Sequence, residues 1–289
     1  MPPRPVVVAV MARPLQFALF ALLVSTWNPA LPVSAAEPPG YYDAATGLTG
    51  RALHAALHNI IRNHTALSYV STANALMTLH ETPGDTNRVT LTYNGRAELK
   101  RNFIGFGNPG TAGWNREHLW PNSFGIDSVE PSFSDLNNLR PCDQTVNSQR
   151  ASLPFDNSSM NEGRVFPAHA EALQTSRDVN SWEPMPDEKG DIARAMFYMD
   201  VRYDDDAPNE NDLVLTDNLD LINNSSAYCG RLTTLLLWSL SDPVSDAERA
   251  RNEGVYARQG NRNPFIDHPQ WAVAVYSNPS LHFTAPDGP

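Results

Sequence analysis

The stretch Trp114-Asn115-Arg116-Glu117-His118-Leu119-Trp120-Pro121 sets a carboxylate and an imidazole side by side, flanked by Arg116 and two tryptophans. Two more dense stretches follow, Ser134-Asp135-Leu136-Asn137-Asn138-Leu139-Arg140-Pro141 and Thr145-Val146-Asn147-Ser148-Gln149-Arg150. Packing alone gives little reason to gather an imidazole, a carboxylate, several carboxamides and several guanidiniums between residues 114 and 150. A metal-assisted reaction on a phosphate uses all of them.

The pattern around these residues reads as strand, loop, strand, helix. Leu136 to Leu139 is a short strand that Pro141 ends, and Asp143 is the expected N-cap of a helix carrying Val146, Asn147 and Arg150. Upstream, Val89, Leu91 and Tyr93 alternate with polar residues and run into Asn94-Gly95, a strand entering a tight hairpin. Gly105, Gly107, Pro109, Gly110 and Gly113 mark the loop before the central stretch. Leu53, Leu57, Ile60 and Ile61 recur at helical spacing. His54 and His58 on that helix read as a solvated face rather than a chelating pair, because no third ligand accompanies them. Ile192, Met196, Met199 and Tyr203 share one face of a second helix, which Asp204-Asp205-Asp206 ends. Leu232 to Leu240 is a buried helix, and Ser245 with Glu248 forms a capping box for the next. Residues 156–186 lack periodicity and read as ordered loop. Nothing marks a domain boundary, so the expected architecture is a single mixed α+β domain.

The 289 residues are enough for a sizeable core, and 41% hydrophobic with 18% charged residues is ordinary for a globular chain. The N-terminus has the form of an export signal: Arg4 and Arg13, an apolar run from Leu15 to Val24, and small residues at Val33-Ser34-Ala35-Ala36. Its prolines and Asn28 weaken it as a membrane anchor. Removing residues 1–36 leaves 19 basic against 32 acidic residues, a balance of −13. That argues against sequence-blind binding through overall charge and leaves room for a local basic cleft. The two cysteines, Cys142 and Cys229, are expected to pair as a disulfide after export.

Phosphodiester hydrolysis needs a nucleophilic water, stabilisation of the phosphorane and protonation of the leaving oxygen. His118 is the candidate general base and Glu117 the candidate hard-oxygen ligand for a magnesium-type ion. Arg116, Arg140 and Arg150 are candidates to steady phosphate oxygens. So is Arg262, in the most basic local segment, which also holds Arg249, Arg251 and Arg258. A carboxamide supplies the second metal oxygen. Helix geometry favours Asn147, which shares a face with Arg150, over Asn138, which sits at a strand end where carboxamides more often satisfy turns. Adjacent strand residues point to opposite faces, so Glu117 and His118 share a site only where the strand ends or bulges.

These three stretches, with Leu57-His58-Asn59-Ile60-Ile61, Lys189-Gly190-Asp191-Ile192-Ala193-Arg194 and Gln259-Gly260-Asn261-Arg262-Asn263-Pro264-Phe265-Ile266-Asp267-His268-Pro269, resemble the endonuclease I family. These are bacterial periplasmic and secreted nucleases of the His-Me finger, or ββα-metal, type. The resemblance covers most of residues 50–275. It implies a ββα-metal core, non-specific cleavage of DNA and often RNA, and a divalent ion such as Mg2+, Mn2+ or Ca2+. By matching position it implies His118 as general base, with Glu117 and Asn147 as metal ligands. The acidic balance departs from the basic surface expected of such an enzyme.

The expectation is therefore an exported, metal-dependent endonuclease acting on DNA and RNA. It comprises a signal peptide at 1–36, a nuclease domain at 37–277 and a tail at 278–289. The mature protein is expected to be a monomer without stable membrane association. The competing readings are a non-catalytic nucleic-acid-binding protein on the same fold and a ribonuclease that acts only on RNA.

Overall fold

The computed structural model describes residues 37–107, 113–204, 212–223 and 226–277. The expected leader and tail lie outside the described residues, as do Asp205 and Asp206 of the acidic run.

The strand that carries the motif, and the elements around it, are short. Helices α1 (Gly50–Ile61) and α2 (Tyr69–Leu79) lead into the strands β1 (Glu81–Thr82), β2 (Asp85–Thr90) and β3 (Ala97–Leu99), which form one antiparallel sheet in that order. Then come β4 (Trp114–His118), β5 (Leu139–Asp143) and α3 (Gln144–Arg150). The pairs β6 (Ser176–Arg177) with β7 (Trp182–Glu183), and β8 (Val214–Leu215) with β9 (Tyr228–Cys229), fix the later loops. The remaining helices are α4 (Lys189–Arg202), α5 (Leu232–Ser241), α6 (Asp246–Gln259), α7 (Pro264–Asp267) and α8 (Gln270–Tyr276). This is the mixed α+β class expected.

Helix α4 is the core's axis. From Gly190 to Arg202 only Asp191 is not buried, and α4 packs on α1, α5 and α7. Ile192, Met196, Phe197 and Met199 are all 2% exposed or less, and each such side chain contributes ~1.5–3 kcal/mol of transfer free energy. On α1, His54 and His58 face α4 instead of solvent. His58 Nδ1 lies 2.9 Å from the Val201 carbonyl and His54 Nε2 3.2 Å from Asp200 Oδ2.

β4 and β5 pair antiparallel without a bulge, from Trp114↔Asp143 to His118↔Leu139. The strand expected over Leu136–Leu139 is shifted. Residues 136–138 turn around Asp135, and β5 runs through Pro141 to Asp143. Proline is tolerated there because it needs only to accept, and its carbonyl takes the Thr92 N–H at 2.8 Å. Asp143 caps α3 as expected: Oδ1 accepts from the Thr145 and Val146 amides at 2.8 and 3.1 Å.

The expected disulfide is corrected: Cys142 and Cys229 are both free and buried. Cys142, in β5, lies with Sγ 4.0 Å from the Thr92 carbonyl, while Cys229 is held in the β8–β9 pair. Burial pushes the Cys229 thiol up to about 12 and that of Cys142 well above its ordinary value, so both behave as small apolar side chains.

Candidate active site

Alternation along β4 divides the motif between two faces. Asn115 and Glu117 meet α3, whereas Arg116 and His118 meet α2 and the turn before β5.

On the first face, Glu117 is 3% exposed. Its Oε1 accepts the Tyr93 hydroxyl at 2.7 Å and lies 3.1 Å from Arg150 Nη1. Burial raises the Glu117 pKa, while Arg150 and Tyr93 hold it down. Arg150 also donates to the carbonyls of His118 at 3.0 Å and Leu119 at 2.7 Å, and packs over the Phe155 ring. At 1% exposure it is the brace that pins the end of β4 to α3. One helical turn earlier, Asn147 Nδ2 donates to Asn115 Oδ1 at 2.8 Å, which leaves Oδ1 as the amide's acceptor.

On the second face, His118 Nε2 lies 2.9 Å from the Phe133 carbonyl. A carbonyl only accepts, so Nε2 carries the proton and Nδ1 of the neutral ring is the basic lone pair. Burial, with the nearby Arg116 and Arg150 charges, lowers the imidazole pKa to about 4. The ring packs in a triangle with Phe133, at 4.8 Å between centroids, and Tyr69, stacked at 5.8 Å, which touch each other at 4.4 Å. Arg116 lies 3.4 Å over the Tyr69 ring and donates to the Tyr69 carbonyl.

The structure brings together His118, Glu117, Asn147, Arg116 and Arg150 around β4. Arg140 and Arg262 are elsewhere engaged. Arg140 Nη1 donates to the carbonyls of Asn137 and Leu139, both at 3.0 Å, and locks the turn before β5. Arg262 is 2% exposed and paired with Asp267 at 2.7 Å and Glu253. Asn138 is fully buried. Its Oδ1 accepts the Trp120 amide at 2.7 Å and its Nδ2 donates to the Trp120 carbonyl. Among the described residues no group of three His, Cys, Asp or Glu side chains is placed to hold a metal ion. An ion here would rest on fewer protein oxygens, for which Glu117 and the Asn147 amide are the candidates.

Sequence reasoning missed Tyr93, Tyr69, Phe133 and Asp135 as parts of this site. Asp135 accepts the hydroxyls of Tyr198 and Tyr203 at 2.7 and 2.8 Å and the Gln259 amide at 3.1 Å. It thereby anchors the turn before β5 to α4 and α6. Its place in a dense polar stretch was the available signal. Tyr93, Tyr69 and Phe133 had none, because they reach the motif only through tertiary contact.

The family model described as Endonuclease I matches residues 49–270. A protein described as extracellular ribonuclease from Bacillus subtilis (strain 168) is 43% identical over 258 residues, spanning 88% of this chain and 83% of the relative. Another of that description, from Bacillus amyloliquefaciens, is 42% identical over 246 residues, spanning 83% and 79%.

Proposed function

This chain belongs to the endonuclease I family, and from that premise we propose that it is an exported nuclease. It hydrolyses phosphodiester bonds of RNA and DNA with a water that His118 deprotonates. The observation that carries the reading is the His118 ring. Its Nε2 proton is committed to the Phe133 carbonyl, so Nδ1 is unprotonated at neutral pH and aimed by two flanking rings. The extracellular description of both relatives and the form of residues 1–36 support export, with 37–277 as the nuclease domain and 278–289 as a tail.

In this reading the scissile phosphate lies at the end of β4, where its two faces meet. His118 Nδ1 takes the proton of the attacking water. Arg116, half-exposed on that side, meets a phosphate oxygen. Glu117 Oε2 and Asn147 Oδ1 would hold a divalent ion. They fit one, because Tyr93 and Arg150 both engage Oε1, and because the Asn115 bond turns the Asn147 nitrogen away. Such an ion, when bound, stabilises charge on the phosphorane and the leaving oxygen. Arg150 holds Glu117 and the strand end rather than substrate.

The relatives' names favour RNA, and an RNA-only enzyme is the second reading. A water nucleophile needs no 2′-hydroxyl, so the first reading requires cleavage of DNA as well. Incubating the mature protein with RNA and with plasmid, each with magnesium or excess EDTA, tests both. Cleavage of both substrates is expected with magnesium and none with EDTA. His118→Ala should be ~10²–10⁴-fold slower with its circular dichroism unchanged. Cutting of RNA alone selects the second reading, and undiminished turnover in EDTA removes the metal.

A further inference from the structure

The connection between β3 and β4 carries an aromatic side chain that the core does not use. Phe106 is 60% exposed, yet it is held in place. Its ring meets Phe103 edge-on at 5.1 Å, and Phe103 packs on Trp114 at 4.7 Å. Two glycines shape the turn. A Cβ on Gly105 would lie 2.3 Å from the Phe103 ring, and Gly107 takes φ +73°. From Phe106 a continuous line of rings and one cation leads to the candidate base. The Arg116 guanidinium lies 5.2 Å from Phe103 and 3.4 Å from Tyr69, which stacks on His118.

This ledge also differs in charge from the rest of an acidic chain. Arg116 contacts the Tyr69 carbonyl and Thr72 Oγ1 and no carboxylate among the described residues. An apolar occupant would gain nothing from the uncompensated Arg116 guanidinium, and a bare anion would gain nothing from Phe106. A nucleotide strand with free base faces matches both, since aromatic side chains stack bases while arginines meet the backbone.

We infer that Phe106 is a base-stacking residue beside the site and selects nucleic-acid strands with unpaired bases over duplexes. The inference rests on the nuclease reading for its substrate class, and deepens it by naming the strand state. A duplex keeps its base faces stacked on each other and offers Phe106 only backbone.

The test is a binding measurement on the full-length His118→Ala protein, so that no cleavage intervenes. Fluorescence anisotropy is read with a short labelled single-stranded RNA, the same sequence as DNA, and the duplex. Adding Phe106→Ala should weaken single-strand binding by ~5- to 100-fold, the size of one lost stacked base, and change duplex binding by less than about twofold. Phe106→Trp should restore it. Since Phe106 is largely exposed, its substitution leaves folding intact, which circular dichroism checks. Unchanged single-strand affinity, equal loss on single strand and duplex, or no binding by the His118→Ala protein would each overturn the ledge. Cleavage of RNA by the unsubstituted protein, scored separately, decides the nuclease reading whatever Phe106 does.

Discussion

At the scale of single residues, His118 and Glu117 are neighbours with opposite surroundings. Glu117 is buried and His118 half-buried, and burial works on them in opposite directions. It drives the imidazole down to about 4 and the carboxyl up. Arg150 acts on both, opposing the upward push of burial on Glu117 and adding to the field that lowers His118. A base with a low pKa is weak but is never lost to protonation near neutrality. The rate should therefore hold as pH falls from neutral and drop only as His118 protonates near pH 4. A pH–rate profile of kcat/KM on a single-stranded substrate checks this. A limb at the ordinary imidazole value, ~6.5, would mean that the ring is solvated in the working enzyme.

At the scale of elements, the β4–β5–α3 unit was the most legible part of the chain. Its helix began with an aspartate in the N-cap position, and the candidate site residues Asn147 and Arg150 followed at a spacing that a helix puts on one face. What sequence could not give was the register. Leu136–Leu139 has the apolar pattern of a strand, but Asp135 draws residues 136–138 into a turn and passes the pairing to Leu139–Asp143. Nor could it tell a guanidinium left partly exposed from one buried on carbonyls. Arg116, Arg140 and Arg150 look alike in sequence, and only tertiary partners separate them. Asp143 bears on both stability and geometry. Besides capping α3, it pairs with Arg96 beyond the hairpin. Asp143→Ala should lower stability by about 1–2 kcal/mol, as cap losses do, and slow turnover because α3 carries Asn147 and Arg150. Asp143→Asn should recover most of the melting temperature, since its amide oxygen still caps. Calorimetry paired with an activity assay separates the two effects.

At the scale of the whole molecule, the formal charge of −11 describes composition better than surface. Some of the surplus carboxyl groups, Glu117, Asp135 and Glu248 among them, lie inside, and Glu188 is half-buried. Glu188, at the start of α4, accepts the Tyr93 amide at 2.7 Å and is pushed by burial up to about 7. Its folded form thus holds a proton more tightly than the unfolded chain, where a glutamate titrates at 4.5. The sign follows: this group favours the folded state below pH 4.5, and that contribution is lost as pH rises from 4.5 through about 7. Glu188→Gln keeps an acceptor for Tyr93 and removes the ionisation. The variant should be more stable than the parent at pH 8 by about 1–3 kcal/mol and nearly equal to it at pH 4.5. Urea titrations at the two pH values measure the difference, and an equal shift at both would exclude the linkage.

Glu188 matters further because of the residue it holds. Tyr93 sits at φ +70°, in the left-handed region that side chains avoid, and the same residue carries the hydroxyl that grips Glu117. A glycine at that turn would relax the backbone and leave Glu117 without its phenol. Yet the ring is fully buried against Phe155 and Trp182, so the packing of the core and the aim of the carboxylate both ask for the same strained tyrosine. Tyr93→Gly should therefore lower the melting temperature despite the relaxed turn, because the cavity it leaves costs ~3–5 kcal/mol against ~1–3 kcal/mol of relieved backbone strain.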